Sequence, residues 1–395
     1  MMRADLLYGF IHLPWWGYIA LTFALVQLMF LGVTLYLHRD MSHGGLVLHP
    51  VLRHFFRFWL WFCSGTVTRE WVAVHRRHHA YADRPGDPHS PVVFGLRRVL
   101  LQGYELYVAA AHDPKTVANY GRGTPDDWLE RNLYSRFPKV GISLFAALQL
   151  LMFGVPAIAM LGVQLIAQPF FAGGVINGLG HHLGYRSFEL PTAATNIVPW
   201  GVLIGGEELH NNHHAFPSSP RFAVQAWEID LGWLFIRVFR ALGLARVGNL
   251  APTPHIVRDR ASIDADTVRA LFTNRMHVLR DYRRRVIRPV FRAVRKQESP
   301  AMLAHRSPRL LVRHPRLLDE RAQQQLHELL ERYEVLRTVA EFHDRLQRIW
   351  DEASASHERA LEQLRALCAQ AEGSSILALR NFASRLRTYA PPRSN

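Results

Sequence analysis

Apolar and polar positions are unevenly spread along the 395 residues. Residues 15–37 carry no charge over 23 positions, and a helix of about 20 apolar residues crosses a ~30 Å hydrocarbon layer. Pro14-Trp15-Trp16 opens this run with aromatics suited to a membrane interface. Residues 140–180 are also free of charge and are interrupted at Gly154-Val155-Pro156. That pattern predicts a helical hairpin of two short spans turning near Pro156. Residues 51–68 are apolar too, but Arg53, His54 and Arg57 sit in their first turns. This segment is expected to lie along the interface or dip into it without crossing. One span and one hairpin make about three spans, and return the polar stretches that follow them to one face.

After Trp233 the apolar character fades. Residues 262–296 read as one long Arg-rich helix, opened by Ser262 with Asp264 and Asp266 in its first turn. Pro300 and Pro308 break the chain. Residues 317–371 space Leu326, Leu329, Leu330, Tyr333, Leu336 and Val339 in a heptad-like pattern, which predicts an amphipathic helix pair or a coiled-coil-like tail. The expected architecture is all-α: a membrane domain at 1–245 and a basic helical extension at 246–395.

Charge sharpens that division. Up to His214 there are 16 Lys and Arg against 13 Asp and Glu, so +12 of the net +15 lies beyond it. Beside apolar spans, such charge fits a cytoplasmic face near anionic lipid better than nucleic acid, for which no reading motif is present. The polar segment 80–139 is placed on the cytoplasmic side by its Arg and Lys, with the N-terminus outside. Cys63 and Cys368, the only cysteines, offer neither a disulfide framework nor a thiolate metal site.

The candidate chemistry is in the histidines. His75, His78 and His79 stand at i, i+3 and i+4, and His210, His213 and His214 repeat that spacing 135 residues on. On a helix each trio projects from one face. His38 and His43 lie upstream, directly after the first span, and Asn177 precedes His181 by about one helical turn. Nine imidazoles are too many for one ion and suit two. With no thiolate and few carboxylates among them, an all-nitrogen shell points to iron and to O2-dependent attack on an unactivated C–H bond. His38 and His43 are five apart, about 140° around a regular α-helix. The helix therefore ends or distorts between them, or the two serve different ions.

These clusters, with Glu70-Trp71, Asp87-Pro88-His89-Ser90, Gly184-Tyr185-Arg186 and Phe216-Pro217 around them, resemble the integral-membrane fatty acid desaturases, in particular the acyl-CoA Δ9 (stearoyl-CoA type) branch. The resemblance covers roughly residues 10–240. It implies a di-iron centre held by His38, His43, His75, His78, His79, His181, His210, His213 and His214, with Asn177 binding through a water. It implies a cytoplasmic cap that receives the substrate head group, with Arg186 and Asp87 as candidates there. Trp71 and Tyr185 would shape the cap or the acyl tunnel, or simply pack. His49, His54, His89 and His112 lie outside the pattern. A third box beginning with His210, where front-end desaturases have Gln, argues against Δ5 or Δ6 chemistry.

The family's animal members have two spans before the first box, and this chain has room for one. Residues 246–395 have no counterpart in the family; they resemble the helical tails of some bacterial transposases, a likeness of composition and not of activity. The sequence holds no His-Pro-Gly-Gly haem motif of a fused cytochrome b5 and no flavin or nicotinamide fingerprint. Electrons are expected from an external ferredoxin or a flavin or iron–sulfur reductase. The expectation is a multi-pass enzyme of a bacterial inner membrane, with its histidines and C-terminus in the cytoplasm, setting a cis double bond in acyl-CoA. Alternatives are the same reaction on phospholipid-bound chains, a di-iron hydroxylase, and a histidine-rich metal transporter.

Overall fold

The first uncharged run becomes a helix because its apolar side chains leave the backbone no partners but its own. In the computed structural model, which describes residues 7–257, 260, 262–297, 308–352 and 357–391, this helix, α1, spans Trp15–Ser42. It continues five residues past the predicted end and carries His38 inside it. Its last 11 residues, Gly32–Ser42, are π-helical. Trp15, Trp16, Ile19 and Phe23 face outward, while Val26, Met29 and Phe30 are buried.

The predicted hairpin forms from α5 (Pro138–Phe153) and α6 (Pro156–Leu179). Gly154 turns it at φ +60, and a Cβ there would strike the Leu7 carbonyl. Gln149 and Gln164 pair reciprocally across the hairpin, amide to amide, at 2.7 and 3.2 Å. Pro169 removes a backbone donor inside α6, and the π-helical stretch Pro169–Leu179 begins there. By length and composition α1 and α6 are the two helices able to cross a membrane among the described residues, and α5 is a shorter apolar one. Leu144, Leu148, Leu151, Ile158, Val163 and Ile166 are exposed along the hairpin, as lipid-facing side chains would be.

Residues 51–68 fall in α2 (Pro50–Ser64) and the start of α3 (Thr68–Tyr81). α2 is amphipathic: Phe56, Leu60 and Trp61 are buried, whereas Val51, Phe55 and Phe58 are exposed. Its buried Arg57 binds Asp127 at 2.7 Å. Gly65 ends α2 at φ +64, where a Cβ would meet Pro138 and Ile142. Leu96–Ala111 forms α4, which packs on α6 where Gly103 meets the Gly173 and Gly174 backbone. His210–Ala215 forms α7 and Leu231–Ala241 forms α8.

The chain divides into two units, Met1–Arg186 with Thr192–Ala251, and Ser187–Pro191 with Pro252–Asn395. The boundary expected at 245/246 falls within Ala245–Val247, a strand paired antiparallel with Leu46–Leu48 in the first unit.

The second unit is helical. The single helix predicted at 262–296 is broken at Asn274, which ends α9 (Ala265–Thr273) at φ −102, ψ 18. Asp264, not Ser262, caps α9 by accepting the Thr267 N–H. A continuous run, α10, follows as Arg275–Tyr282, a π-helical turn Arg283–Ile287, and Arg288–Gln297. Beyond it lie α11 (Glu320–Arg332), α12 (Glu334–Glu352), α13 (His357–Glu372) and α14 (Leu377–Arg387). Leu329, Leu336 and Val339 enter a core shared with Tyr282, Phe291, Leu364 and Phe382. The heptad-like spacing thus packs into this unit's own interior instead of making a coiled-coil tail. The expected break at Pro300 lies outside the described residues; Pro308 lies in an extended turn region before α11.

Candidate metal centre

Four pieces of backbone deliver the histidines. α1 supplies His38 and, just past its end, His43. α3 supplies His75, His78 and His79. The turn after α6 supplies His181, and α7 supplies His210, His213 and His214. The angular problem of His38 and His43 is solved by π geometry: the His43 N–H donates to the His38 carbonyl at 3.2 Å. An i→i+5 bond stacks residues five apart, so both rings point the same way. The Gly180 N–H bonds the Val175 carbonyl at 3.2 Å in the same i→i+5 manner and leads into His181.

The nine rings gather into two nests. His38, His43, His75, His79 and His213 form one; His78, His181, His210 and His214 form the other. Within each, the ligand atoms lie within 4.8 Å of one another. The Nε2 atoms meet at 3.0 Å (His38 and His213), 2.8 Å (His43 and His75), 2.9 Å (His79 and His213), 3.0 Å (His181 and His210) and 3.1 Å (His210 and His214).

Three carboxylates stand behind the rings. Glu207 reaches His38 Nδ1 at 2.7 Å, Asp83 reaches His181 Nδ1 at 2.9 Å, and Asp87 reaches His78 Nδ1 at 3.0 Å. Each fixes a tautomer: Nδ1–H donates to the carboxylate, and Nε2 is left as a bare lone pair. Asp83 holds its position at φ +60, the one non-glycine residue with positive φ among those described. The asparagines inside the third box face away from the nests. Asn211 donates to the Ala194 carbonyl at 3.0 Å, and Asn212 donates to the Phe222 carbonyl at 2.9 Å and to Glu228 at 2.8 Å.

The electrostatics favour ligation. Burial, then the neighbouring imidazoles, holds His75, His79, His210, His213 and His214 well below the ordinary imidazole value, and His43 likewise with Arg76 adding to the effect. These rings are neutral at pH 7. Burial also opposes the charge on His78, but Asp87 more than offsets it and raises that ring. Burial disfavours ionised Asp83, Asp87 and Glu207, yet their histidine partners keep all three below the usual carboxylate range.

Hydrogen bonding among the rings cannot account for the nests. His213 Nε2 touches both His38 Nε2 and His79 Nε2, and one hydrogen cannot serve two neighbours. A cation in each nest resolves the clash: two nitrogens about 2.1 Å from one ion and at right angles lie about 3.0 Å apart. The donor set therefore fits metal, and its imidazole-only composition suits iron.

A family model described as Fatty acid desaturase matches residues 13–250. The chain belongs to the fatty acid desaturase family. It is 31% identical over 227 residues to the sn-1 stearoyl-lipid 9-desaturase of Anabaena variabilis, covering 56% of this chain and 79% of that protein. It is 31% identical over 232 residues to the Delta-9 desaturase-like 4 protein of Arabidopsis thaliana, covering 57% and 75%. It is 32% identical over 243 residues to the Icosanoyl-CoA 5-desaturase of Limnanthes douglasii, covering 58% and 64%. The relatives thus divide by position, ninth or fifth carbon, and by carrier, lipid or coenzyme A. A second model, described as Transposase, matches residues 267–392. Membership makes the chain an oxidoreductase of lipid metabolism, in a family that is membrane-associated and generally di-iron.

The remaining residues singled out from the desaturase pattern are placed as follows. Asn177 is half-buried in the π-helical end of α6. Trp71 stacks on His75, with ring centroids 5.1 Å apart and planes 13° apart. The Tyr185 hydroxyl donates to Glu228 at 2.8 Å, and its ring lies 5.2 Å from Trp227. Arg186 is buried and donates to the Thr192 and Ala194 carbonyls at 2.8 and 3.0 Å. Asp87 is buried against His78, not open to a head group. Sequence reasoning missed Asp83 and Glu207, although each lies within about a turn of a histidine box. It also left out His89, whose ring is fully buried 4.7 Å from the ring of His78 and is pushed down to about 3 by burial.

Proposed function

We propose that the chain is an O2-dependent di-iron acyl desaturase that sets a cis double bond, at the ninth carbon, in a saturated acyl chain. The observation that carries this reading is the adjacency of two all-imidazole nests, of five and four rings, at the ends of α1 and α6, the two described helices long and apolar enough to cross a bilayer. One iron would be held by His38, His43, His75, His79 and His213. The other would be held by His78, His181, His210 and His214, with Asn177 contributing through a water.

Bound there, iron supplies the oxidation of an unactivated C–H bond by O2. Over a turnover the acyl CH2–CH2 unit gives up two hydrogens. Those hydrogens, two electrons from a separate redox protein and two protons convert one O2 to two waters. Glu207, Asp83 and Asp87 hold the ring protons on Nδ1, so that the Nε2 lone pairs aim into the nests. Trp71 fixes the plane of His75. Five of the nine rings are buried and four partly so, which limits the access of bulk water to the nests. Ferredoxin or a flavin or iron–sulfur reductase would deliver electrons on the cytoplasmic side of a bacterial inner membrane.

A second reading concerns the carrier. The sequence pattern suggests coenzyme A, with Arg186 and Asp87 receiving its head group. Both side chains are buried and engaged by protein, which supports a membrane lipid as carrier instead. Gas chromatography of lipids from a host expressing the chain tests the main reading. New cis-9 monounsaturated chains are expected with the wild type and none with His78→Ala; an unchanged wild-type profile overturns it. Purified enzyme offered stearoyl-CoA or a stearoyl phospholipid, with a reconstituted donor, separates the carriers.

A further inference from the structure

Among the described residues, α10 carries a row of cations with no carboxylate paired to it. From Tyr282 to Gln297 the sequence contains no Asp or Glu. Arg284, Arg288, Arg292, Arg295 and Lys296 recur at steps of four, four, three and one, and all but the half-buried Arg288 are exposed. The opposite face of the same helix is committed to the unit's core through Tyr282, Val286, Ile287, Val290, Phe291 and Val294, so the row is held rigidly outward. Among the described residues none of these five cations has an ion pair; the neighbouring Arg285 reaches Asp281 only at 3.9 Å. Burial, followed by the cations of Arg283, Arg309, Arg284 and Arg292, holds the Arg288 guanidinium below its usual value. The groups bearing most strongly on it repel it. From Arg284 to Lys296 the row is about 18 Å long at helical rise.

A fixed band of like charges, spread over about 120° of the helix surface, calls for an extended anionic partner. The second unit is joined through the chain to a unit with helices apolar enough to cross a bilayer. Tethering keeps the local concentration of lipid head groups high, and each Lys or Arg near an anionic surface contributes about 1 kcal/mol. The row lacks the interleaved aromatics that single-stranded nucleic-acid surfaces use for stacking. We propose that the Arg284–Lys296 face of α10 is a docking surface for anionic phospholipid head groups, which sets the second unit down on the membrane. This inference rests on the reading that the first unit is embedded in a bilayer.

The test uses the full chain in nanodiscs. Ala293→Cys places an exposed thiol beside Arg292, while the native Cys63 and Cys368 are buried, so a fluorophore can be attached at position 293. In discs containing roughly 30% phosphatidylglycerol, head-group-labelled lipid should quench the fluorophore strongly; in phosphatidylcholine discs it should not. The quenching should disappear at about 0.5 M salt, where the screening length falls to a few ångströms. It should also disappear in R284Q/R288Q/R292Q/R295Q, whose apolar face is intact; an unchanged melting profile checks that variant's fold. Equal quenching in both discs overturns the inference alone. So does a response to a DNA duplex with none to anionic lipid, which would assign the surface to nucleic acid. A chain that assembles into neither disc removes the membrane reading and this inference together.

Discussion

His38 and Glu207, 169 positions apart, are joined through both carboxylate oxygens, at 2.8 and 2.7 Å from His38 Nδ1. The Thr34 hydroxyl donates to the same carboxylate at 2.6 Å, one turn earlier on α1. Glu207→Gln keeps the volume but removes the charge and one acceptor. Groups in this position typically contribute 10- to 100-fold in metal affinity or activity. The variant should bind iron about 10- to 100-fold more weakly and lose activity in step. Iron titration of the purified variant checks this; wild-type affinity would leave Glu207 without the role argued for it.

Arg39 follows His38 and is among the largest fully buried side chains. It donates to Asp230 at 2.9 Å and to the Gly205 and Pro220 carbonyls at 2.8 Å, and its guanidinium carbon lies 3.8 Å from the Phe222 ring centroid. It thus ties α1 to the loop that carries Glu207. Removing one partner of a buried pair strands the other, so Arg39→Leu should destabilise the fold by about 3–5 kcal/mol. Arg39→Lys should recover only part, because an ammonium lacks the planar fork. Melting temperatures in one detergent check both.

Six rings, His43, His75, His79, His210, His213 and His214, are held below their ordinary value by burial first and by nearby cations and imidazoles second. In the unfolded chain they titrate near about 6.5. Below that pH the unfolded state binds more protons than the folded one, so stability is lost as pH falls. His78 runs the other way: its contribution is present below about 6.5 and fades as pH rises through its raised folded value. Asp83, Asp87 and Glu207 lose theirs only at still lower pH, through their depressed folded values. Six rings outweigh one. Metal-free protein should therefore melt progressively lower as pH drops from about 6.5 to 5; a flat profile would contradict the burial described.

Gln149 and Gln164 form a closed amide pair inside the apolar hairpin. Replacing either one by Leu strands an amide, at a cost of about 1–3 kcal/mol. Replacing both should be nearly neutral, since two apolar groups of similar shape leave nothing unsatisfied. A double-mutant cycle on unfolding checks the sign: additive losses would mean the pair is not coupled.

Much of this was legible in advance where a local rule governed. Charge-free runs gave α1, α5 and α6, and repeated histidine spacing gave the ring set. What stayed hidden depended on distant partners. Nothing local marks Glu207 as the mate of His38, since the loop holding it is positioned by Arg39 and Asp230. The sequence spacing of His38 and His43 signalled an irregularity but not its kind. The heptad-like spacing around Leu329 to Val339 was correct as periodicity, yet periodicity does not say whether a stripe meets a partner chain or its own unit. Asn274 breaks the Arg-rich helix through its backbone angles, a signal too weak to read beside the strong helix formers around it.

The two π-helical stretches also bear on engineering. Robustness is commonly sought by regularising secondary structure, trimming a surplus residue or swapping in strong helix formers. At Gly32–Ser42 and Pro169–Leu179 that strategy would turn rings out of their nests while leaving the scaffold sound. A variant could then gain in melting temperature and lose its chemistry in the same step, so screens for hardier versions should spare these two stretches.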